Sequence, residues 1–127
     1  METKKVIVFA IHDELESAYP PLNISIGAAA TGADVLLAFS RNGVNILDDQ
    51  YIPIPSKGKE YLANALNDFK ASSVSDLLAI AVNLGVRFVV PDVDVPKSRI
   101  VTELPFEKVS LKWLLNEAAT ADLFVQF

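Results

Sequence analysis

The chain contains no cysteine among its 127 residues. This excludes disulfides, thiolate metal sites, cysteine nucleophiles and persulfide carriers within it. Its only histidine, His12, would have to serve any serine hydrolase mechanism, and no serine lies in a Gly-x-Ser-x-Gly motif. Neither a Gly-x-Gly-x-x-Gly loop nor a Walker loop is present, so nucleotide binding by those two mechanisms has no support.

The chain also lacks a run of basic residues and a long apolar run. Its net charge is -5, which argues against nucleic acid and anionic membranes as partners. The longest apolar runs fall far below the ~20 residues that a membrane-spanning helix needs. The amino terminus does not combine basic residues, an apolar run and a small-residue cleavage site, so we expect a cytoplasmic protein without a signal peptide.

The composition is that of one globular domain covering residues 1–127. Hydrophobic residues make up 51% of the chain and charged residues 21%, which is enough apolar material for a core. A chain of 127 residues is of ordinary size for a single domain.

Four apolar runs rich in β-branched and aromatic residues, and one short half-polar segment at 106–109, predict five strands. They lie at residues 4–11, 34–40, 86–90, 106–109 and 123–127. Helical spacing of apolar residues predicts helices between these strands. They lie at residues 21–31, 44–47, 59–69, 74–84, 96–100 and 111–121, those at 44–47 and 96–100 being short.

Proline and serine residues set the predicted helix starts. Residues 14–19 are expected to form a polar loop, after which Pro20 and Pro21 begin the first helix. Ser73 and Ser110 are predicted amino-terminal caps. Residues 48–57 contain two prolines and predict an irregular surface loop.

Two helices are expected to pack through one apolar stripe each. The inward residues of the helix at 59–69 are predicted to be Leu62, Ala65, Leu66 and Phe69. Those of the last helix are predicted to be Leu111, Leu114, Leu115 and Ala118. Trp113 lies beside that stripe and is expected either to be partly buried or to contact another subunit.

The order of elements predicts a three-layer, doubly wound α/β fold with helices on both faces of a mostly parallel five-stranded sheet. In such a sheet a ligand site forms outside the carboxyl ends of the strands. The segment from Arg87 to Pro96 is the third strand and its exit, so the site is expected there and at the neighbouring exits.

Five residues at these exits are the predicted ligand-binding residues. They are His12, Arg41, Asn42, Pro91 and Asp92. Arg41 could hold a carboxylate, a phosphate or a sulfur oxyanion, and His12 with Asp13 could bind an anion or shuttle a proton. The alternative for each is a solvated turn residue without a ligand.

Three carboxylates near the same edge suggest a different chemistry. Asp13, Asp92 and Asp94 could together bind Mg²⁺ or Ca²⁺, which prefer oxygen ligands, and so support a metal-assisted enzyme. The alternative is that Asp92 and Asp94 cap the short helix that follows them.

Four segments carry a resemblance to a known family. They are AYPPL at 18–22, AAATGADV at 28–35, LAFSRNGVNIL at 37–47 and TADLFVQF at 120–127. In order and spacing they resemble the DsrE/DsrF-like proteins, a family of small sulfur-relay proteins with a TusD type and a peroxiredoxin-like branch. The resemblance covers nearly the whole chain and implies a flavodoxin-like fold that forms trimers or hexamers.

The resemblance also implies that this chain lacks the reactive cysteine of the family's catalytic members. Catalytic members carry a persulfide-forming cysteine just past the third strand, and the matching position here is Pro91. The hypothesis is therefore a non-catalytic binding or scaffolding subunit without cofactor, forming a homo-oligomer, with a trimer favoured. The alternative is an accessory protein that docks the persulfide of a sulfurtransferase or a small sulfur oxyanion.

Overall fold

The computed structural model describes residues 3–95 and 100–127. Its strands are β1 Lys5–Ala10, β2 Asp34–Phe39, β3 Arg87–Pro91, β4 Glu107–Val109 and β5 Leu123–Gln126. Its helices are α1 Leu15–Ala30, a 3-10 helix Arg41–Leu47, α2 Tyr61–Asp68, α3 Val74–Asn83 and α4 Leu111–Ala119. Apart from the short helix expected between the third and fourth strands, the predicted order of elements is confirmed, and so is the three-layer α/β class.

The five strands form one sheet in the order β4-β3-β2-β1-β5. All neighbouring pairs are parallel, including the short β4, whose direction the sequence left open. In the central register Val8 lies opposite Leu37 on one side and Val125 on the other. The carboxyl ends of β1, β2 and β3 therefore meet at one edge of the sheet.

The main core lies between the sheet and helices α1 and α3. Alternate side chains of the central strands face these helices, because successive residues of a strand point to opposite faces. The fully buried members include Val8, Leu37 and Phe39 from the sheet and Leu22 from α1. Phe39 and Phe88 meet edge to face with ring centroids 5.2 Å apart.

The opposite face of the sheet is covered by α4 over a smaller core. Leu114 is the fully buried residue of this helix and packs against Ile7, Leu36, Ala38 and Val89. None of the helices within residues 3–95 and 100–127 has the length and apolar character that crossing a membrane requires.

The prediction of a loop at 14–19 was wrong, since α1 begins at Leu15. Pro20 and Pro21 lie in the second turn of the helix, where each lacks a donor for the helical hydrogen-bond ladder. Leu15 and Ala18 are almost completely buried. Burying these two side chains offsets the missing hydrogen bonds, and their spacing from Leu22 was a helical signal in the sequence.

Two predicted packing faces were also wrong in part. Phe69 is 86% exposed, and α2 has no buried residue. Leu111 and Leu115 are exposed, so Leu114 alone anchors α4 as a fully buried side chain. Apart from Ile100, the helical turn predicted at 96–100 lies outside the described residues.

Candidate functional site

A cavity of about 860 Å³ lies at the carboxyl edge of the sheet, and we call it the carboxyl-edge cavity. Its walls come from the exits of β1, β2 and β3 and from the start of α4. The lining residues are Ile11, His12, Ser40, Arg41, Asn42, Asn45, Pro91, Val93, Asp94 and Leu111. Its size is within the range of small-molecule sites.

Close backbone packing shapes the wall at the exit of β2. The amide of Ser40 donates to the carbonyl of Ala10 at 3.0 Å, and the amide of Gly43 donates to the carbonyl of Ser40 at 2.9 Å. A Cβ on Gly43 would lie 1.9 Å from the Ala10 carbonyl oxygen. Only glycine lets the 3-10 helix approach the end of β1 so closely.

Arg41 brings a positive charge to this wall. Its φ angle of 52° is in the left-handed region, which a residue with a side chain adopts at a cost in energy. Arg41 and its neighbour Asn42 are exposed where they line the cavity. A guanidinium and a side-chain amide are thus available as hydrogen-bond donors to a ligand.

Ser40 and Asp94 connect two walls of the cavity. The Ser40 hydroxyl donates to Asp94 Oδ2 at 2.8 Å and joins the exit of β2 to the loop after β3. The Asp94 amide donates to the carbonyl of Pro91 at 3.0 Å, which closes the turn that places the carboxylate there. Pro91 itself is buried as the last residue of β3.

Four of the five predicted site residues line the cavity, and Asp92 is the exception. His12, Arg41, Asn42 and Pro91 meet there as the parallel strand order requires. Asp92 is exposed, and its amide donates to the carbonyl of Val109 at 2.8 Å, which continues the β3–β4 ladder. The role of these five residues in ligand binding remains a prediction.

Sequence reasoning missed the polar residues that complete the lining. Ser40 directly precedes the Arg41–Asn42 pair in the chain and Asn45 follows it three residues later, and this closeness in sequence was the available signal. Asn45 Nδ2 donates to Asp13 Oδ2 at 2.9 Å, so Asp13 holds the 3-10 helix in place. For Asp94 the sequence suggests only a metal ligand or a helix cap.

The geometry of the described residues does not support the hypothesis of a metal-assisted enzyme. Within residues 3–95 and 100–127, no three histidine, aspartate or glutamate side chains come close enough to hold a metal ion. Asp13 accepts from Asn45, Asp94 accepts from Ser40, and Asp92 lies outside the cavity lining.

One glutamate beside this edge has an unusual acidity. Hydrogen bonds from the Ser56 hydroxyl and the Ser56 amide lower the pKa of Glu16 from 4.5 to about 2. The Leu15 amide also donates to the carbonyl of Ile54 at 2.9 Å. Together these contacts fasten the loop at 48–57 to the first turn of α1.

Comparison with known proteins places the fold. No family model matches the sequence, and no curated protein is significantly similar to it. Among solved structures, the crystal structure of the YchN protein from E. coli superposes with a TM-score of 0.71, covering 99% of this chain and 100% of that chain. The fold is DsrE/DsrF-like. The identity is 17%, so the likeness establishes the fold and transfers no residue role.

On this DsrE/DsrF-like fold, Pro91 lies in the wall of the carboxyl-edge cavity. It is the position to which the sequence resemblance assigns the cysteine of catalytic members. A proline ring supplies an apolar contact there and has neither a thiol nor a backbone donor.

Proposed function

We propose that this chain is a cysteine-less DsrE-like protein that acts as a non-catalytic binding or scaffolding subunit and binds a small anion in the carboxyl-edge cavity. The observation that carries the proposal is the convergence of Arg41, Asn42 and His12 on a cavity of about 860 Å³. A chain without cysteine has no thiol to carry sulfur, so binding is the role that this geometry supports.

The charges of the lining favour a small oxyanion. The Arg41 guanidinium offers a planar set of donors that matches carboxylate, phosphate and sulfur oxyanions. The amino end of α4 begins at Leu111 in the same wall, and unlike α3 it has no acidic residue in its first turn to compensate the partial positive charge of the helix start, which favours an anion. Asp94 brings an opposing negative charge to the same lining, and its Oδ2 accepts from the Ser40 hydroxyl.

The test is calorimetric titration with sulfate, thiosulfate and phosphate. Arg41→Asn removes the guanidinium while keeping a residue that tolerates the left-handed conformation. The matched control is Lys70→Asn, since Lys70 also has a left-handed φ of 53° and lies away from the cavity. We expect the first variant to weaken binding about tenfold or more, the scale of a lost charged hydrogen bond, and the second to leave it unchanged.

Two results would contradict the proposal. One is the absence of saturable binding for all three anions. The other is an equal loss of affinity in Arg41→Asn and Lys70→Asn, which would reflect net charge and not the cavity.

A Pro91→Cys variant tests the assignment of the family cysteine. Pro91 is buried in the cavity wall, so a thiol placed there would face the same space. We expect this variant to accept sulfur from a persulfide donor and the native chain to accept none, with the added sulfur read by mass spectrometry. A variant that stays unmodified would show that the position or the cavity does not match that of catalytic members.

A second candidate function is an accessory role in sulfur relay. Val93 is 60% exposed and Leu111 is 45% exposed at the mouth of the cavity, and these apolar surfaces could contact the residues around a partner's cysteine. A peptide carrying an S-sulfonated cysteine should then bind more tightly than thiosulfate and more tightly than the same peptide with serine. Equal affinity of the peptide and thiosulfate would favour a site for free anions.

The chain is further proposed to act as a homo-oligomer, with a trimer favoured. Exposed apolar side chains on the thinly covered side of the sheet support this, chiefly Leu115 at 56% and Phe124 at 44% exposure. The expected compartment remains the cytoplasm.

A further inference from the structure

A second cavity, of about 580 Å³, lies beside the first and has a different chemistry. The 3-10 helix separates the two: Arg41, Asn42 and Asn45 line the carboxyl-edge cavity, while Ile46 and Leu47 line this one. We call it the α3 cavity, because the first turns of α3 form one wall.

The floor of the α3 cavity is apolar. Ile46, Leu47, Val74 and Leu78 are each no more than 5% exposed, and Leu104 packs against the same core. The apolar surface that a ligand can cover lies around this floor, on the partly exposed side chains of Tyr51, Pro53 and Leu104, and covering it gains roughly 25 cal/mol per Å² removed from water. The occupant therefore has an apolar body.

The rim of the α3 cavity carries three carboxylates, from Asp48, Asp49 and Glu103. Two segments far apart in the chain bring them together. The Asp49 amide donates to the carbonyl of Val101 at 2.8 Å, which joins the turn at 48–51 to the segment that carries Glu103. The Leu104 amide donates to Thr102 Oγ1 at 3.1 Å and fixes the local turn of that segment.

The amino end of α3 does not reverse this negative charge. Ser73 Oγ accepts from the Asp76 amide at 3.1 Å, and the Ser73 carbonyl accepts from the Leu77 amide at 3.0 Å. The Asp76 carboxylate in the first turn compensates the helix dipole as well. Among the described residues that line the α3 cavity, the charged ones are the three rim carboxylates.

We propose that the α3 cavity binds a small amphipathic cation, a primary amine or guanidinium with an apolar body. The cation would lie at the carboxylate rim and the apolar body would cover the floor. The cavity volume of about 580 Å³ is within the range of small-molecule sites. This site is independent of the anion site proposed above, since the two cavities share no lining residue.

Three probes of equal length test the proposal: hexylamine, hexan-1-ol and hexanoate. Binding is measured by titration of amide chemical shifts. We expect hexylamine to shift residues of the turn at 48–51, of the α3 start and of 103–104, and to bind about tenfold more tightly than hexanol. Raising the ionic strength from about 0.01 M to about 0.1 M should weaken hexylamine binding, since the Debye length falls from about 30 Å to about 10 Å.

Substitutions at the rim and in the wall test the charge and the space of the cavity separately. Asp49→Asn combined with Glu103→Gln should weaken hexylamine binding about tenfold, because two rim charges are lost. The matched control combines Asp34→Asn with Asp68→Asn, which changes net charge equally at exposed positions away from the cavity. Ala79→Leu should abolish binding, because Ala79 is an exposed helical residue in the cavity wall and leucine would fill the space.

Several outcomes would overturn the proposal. Hexanoate binding as tightly as hexylamine would mean that the α3 start governs the site. Unchanged binding in Ala79→Leu, or an equal loss in the two double variants, would place hexylamine elsewhere on the surface. Absence of saturable hexylamine binding, or hexylamine binding no tighter than that of hexanol, would refute it as well.

Discussion

Gly43 lies where the 3-10 helix contacts the end of β1, and a side chain has no room there. A Cβ would lie 1.9 Å from the carbonyl oxygen of Ala10, which belongs to the backbone and has little freedom to move. The turn Arg41-Asn42-Gly43 was visible in the sequence, but this close approach depends on where β1 ends in space.

A Gly43→Ala substitution should lower the free energy of unfolding by about 1–3 kcal/mol, since overpacking against the backbone forces the helix away from β1. Gly27→Ala is the matched control. Gly27 is exposed in α1 with nothing within 4 Å of an added Cβ, so alanine should stabilise the helix by about 0.5–1 kcal/mol. Urea unfolding of both variants measures the two effects, and a Gly43→Ala protein as stable as the native chain would show that the 3-10 helix shifts freely.

Glu16 should make the stability of the protein depend on acid pH. Hydrogen bonds from Ser56 lower its folded-state pKa to about 2 from an ordinary value of 4.5. A lowered folded-state pKa contributes stability that is complete above pH 4.5 and is lost as the pH falls through about 2. Glu16→Gln should remove this part of the pH dependence, measured by urea unfolding between pH 6 and pH 2.

A Ser56→Ala variant is the partner control for this prediction. It removes the side-chain hydrogen bond, which is the largest cause of the low Glu16 pKa. It should therefore also reduce the loss of unfolding free energy as the pH falls. If Glu16→Gln keeps the full acid dependence of the native protein, other carboxylates carry it.

At the scale of elements, α3 and α4 begin with the same type of serine cap but are buried to different extents. Ser73 Oγ accepts from the Asp76 amide at 3.1 Å, and Ser110 Oγ accepts from the Trp113 amide at 3.0 Å. Four residues of α3 are buried, whereas α4 buries only Leu114 completely. Both caps were predicted, because serine before an apolar helical pattern is a local signal.

Replacing either cap with alanine should cost about 1 kcal/mol of helix stability, with different consequences. We expect Ser110→Ala to speed amide exchange mainly in α4, since a lightly packed helix opens locally. We expect Ser73→Ala to lower the free energy of global unfolding, because α3 belongs to the main core. Hydrogen exchange by mass spectrometry distinguishes the two, and slow exchange of α4 in Ser110→Ala would contradict the local opening.

The start of α1 shows how packing overrides a local signal. Two adjacent prolines predict a helix start, because a proline amide is missed least in the first turn. In the folded chain the helix extends one turn and a half before them, and Leu15 and Ala18 enter the core. The gain from burial becomes apparent only when α3 and the sheet are in place.

At the scale of the whole molecule, the two sides of the sheet are covered unequally. Helices α1 and α3 cover one face, and the nine residues of α4 partly cover the other. Leu111, Leu115 and Phe124 remain 44–56% exposed on that side. Apolar side chains grouped on one surface are typical of protein–protein contacts.

We expect the protein to sediment as a trimer of its 13.8 kDa chain. Leu115→Lys should reduce the assembly to smaller species, because a charge would be placed in the proposed contact. Ile80→Lys is the control, since Ile80 is 41% exposed on α3, on the other side of the sheet. Sedimentation equilibrium decides: a monomeric native chain would refute oligomerisation, and equal behaviour of both variants would exclude the α4 side as the contact.

The candidate site was partly predictable because a parallel sheet brings strand ends together. Knowing only that β1, β2 and β3 are parallel neighbours places His12, Arg41, Asn42 and Pro91 at one edge. The backbone after a strand decides which side chain then turns inward. For this reason Asp94 lines the cavity and Asp92, two residues earlier, does not.

The sequence by itself determined the class of fold, the order of elements and the absence of a thiol, because apolar runs, helical spacing and residue counts are properties of short segments. The tertiary structure alone decided the clearance at Gly43 and the α3 cavity. Each of these depends on contacts between distant segments, as when Asp49 bonds to Val101 and brings Glu103 to the same rim. A contact of that range leaves no local pattern from which it could be predicted.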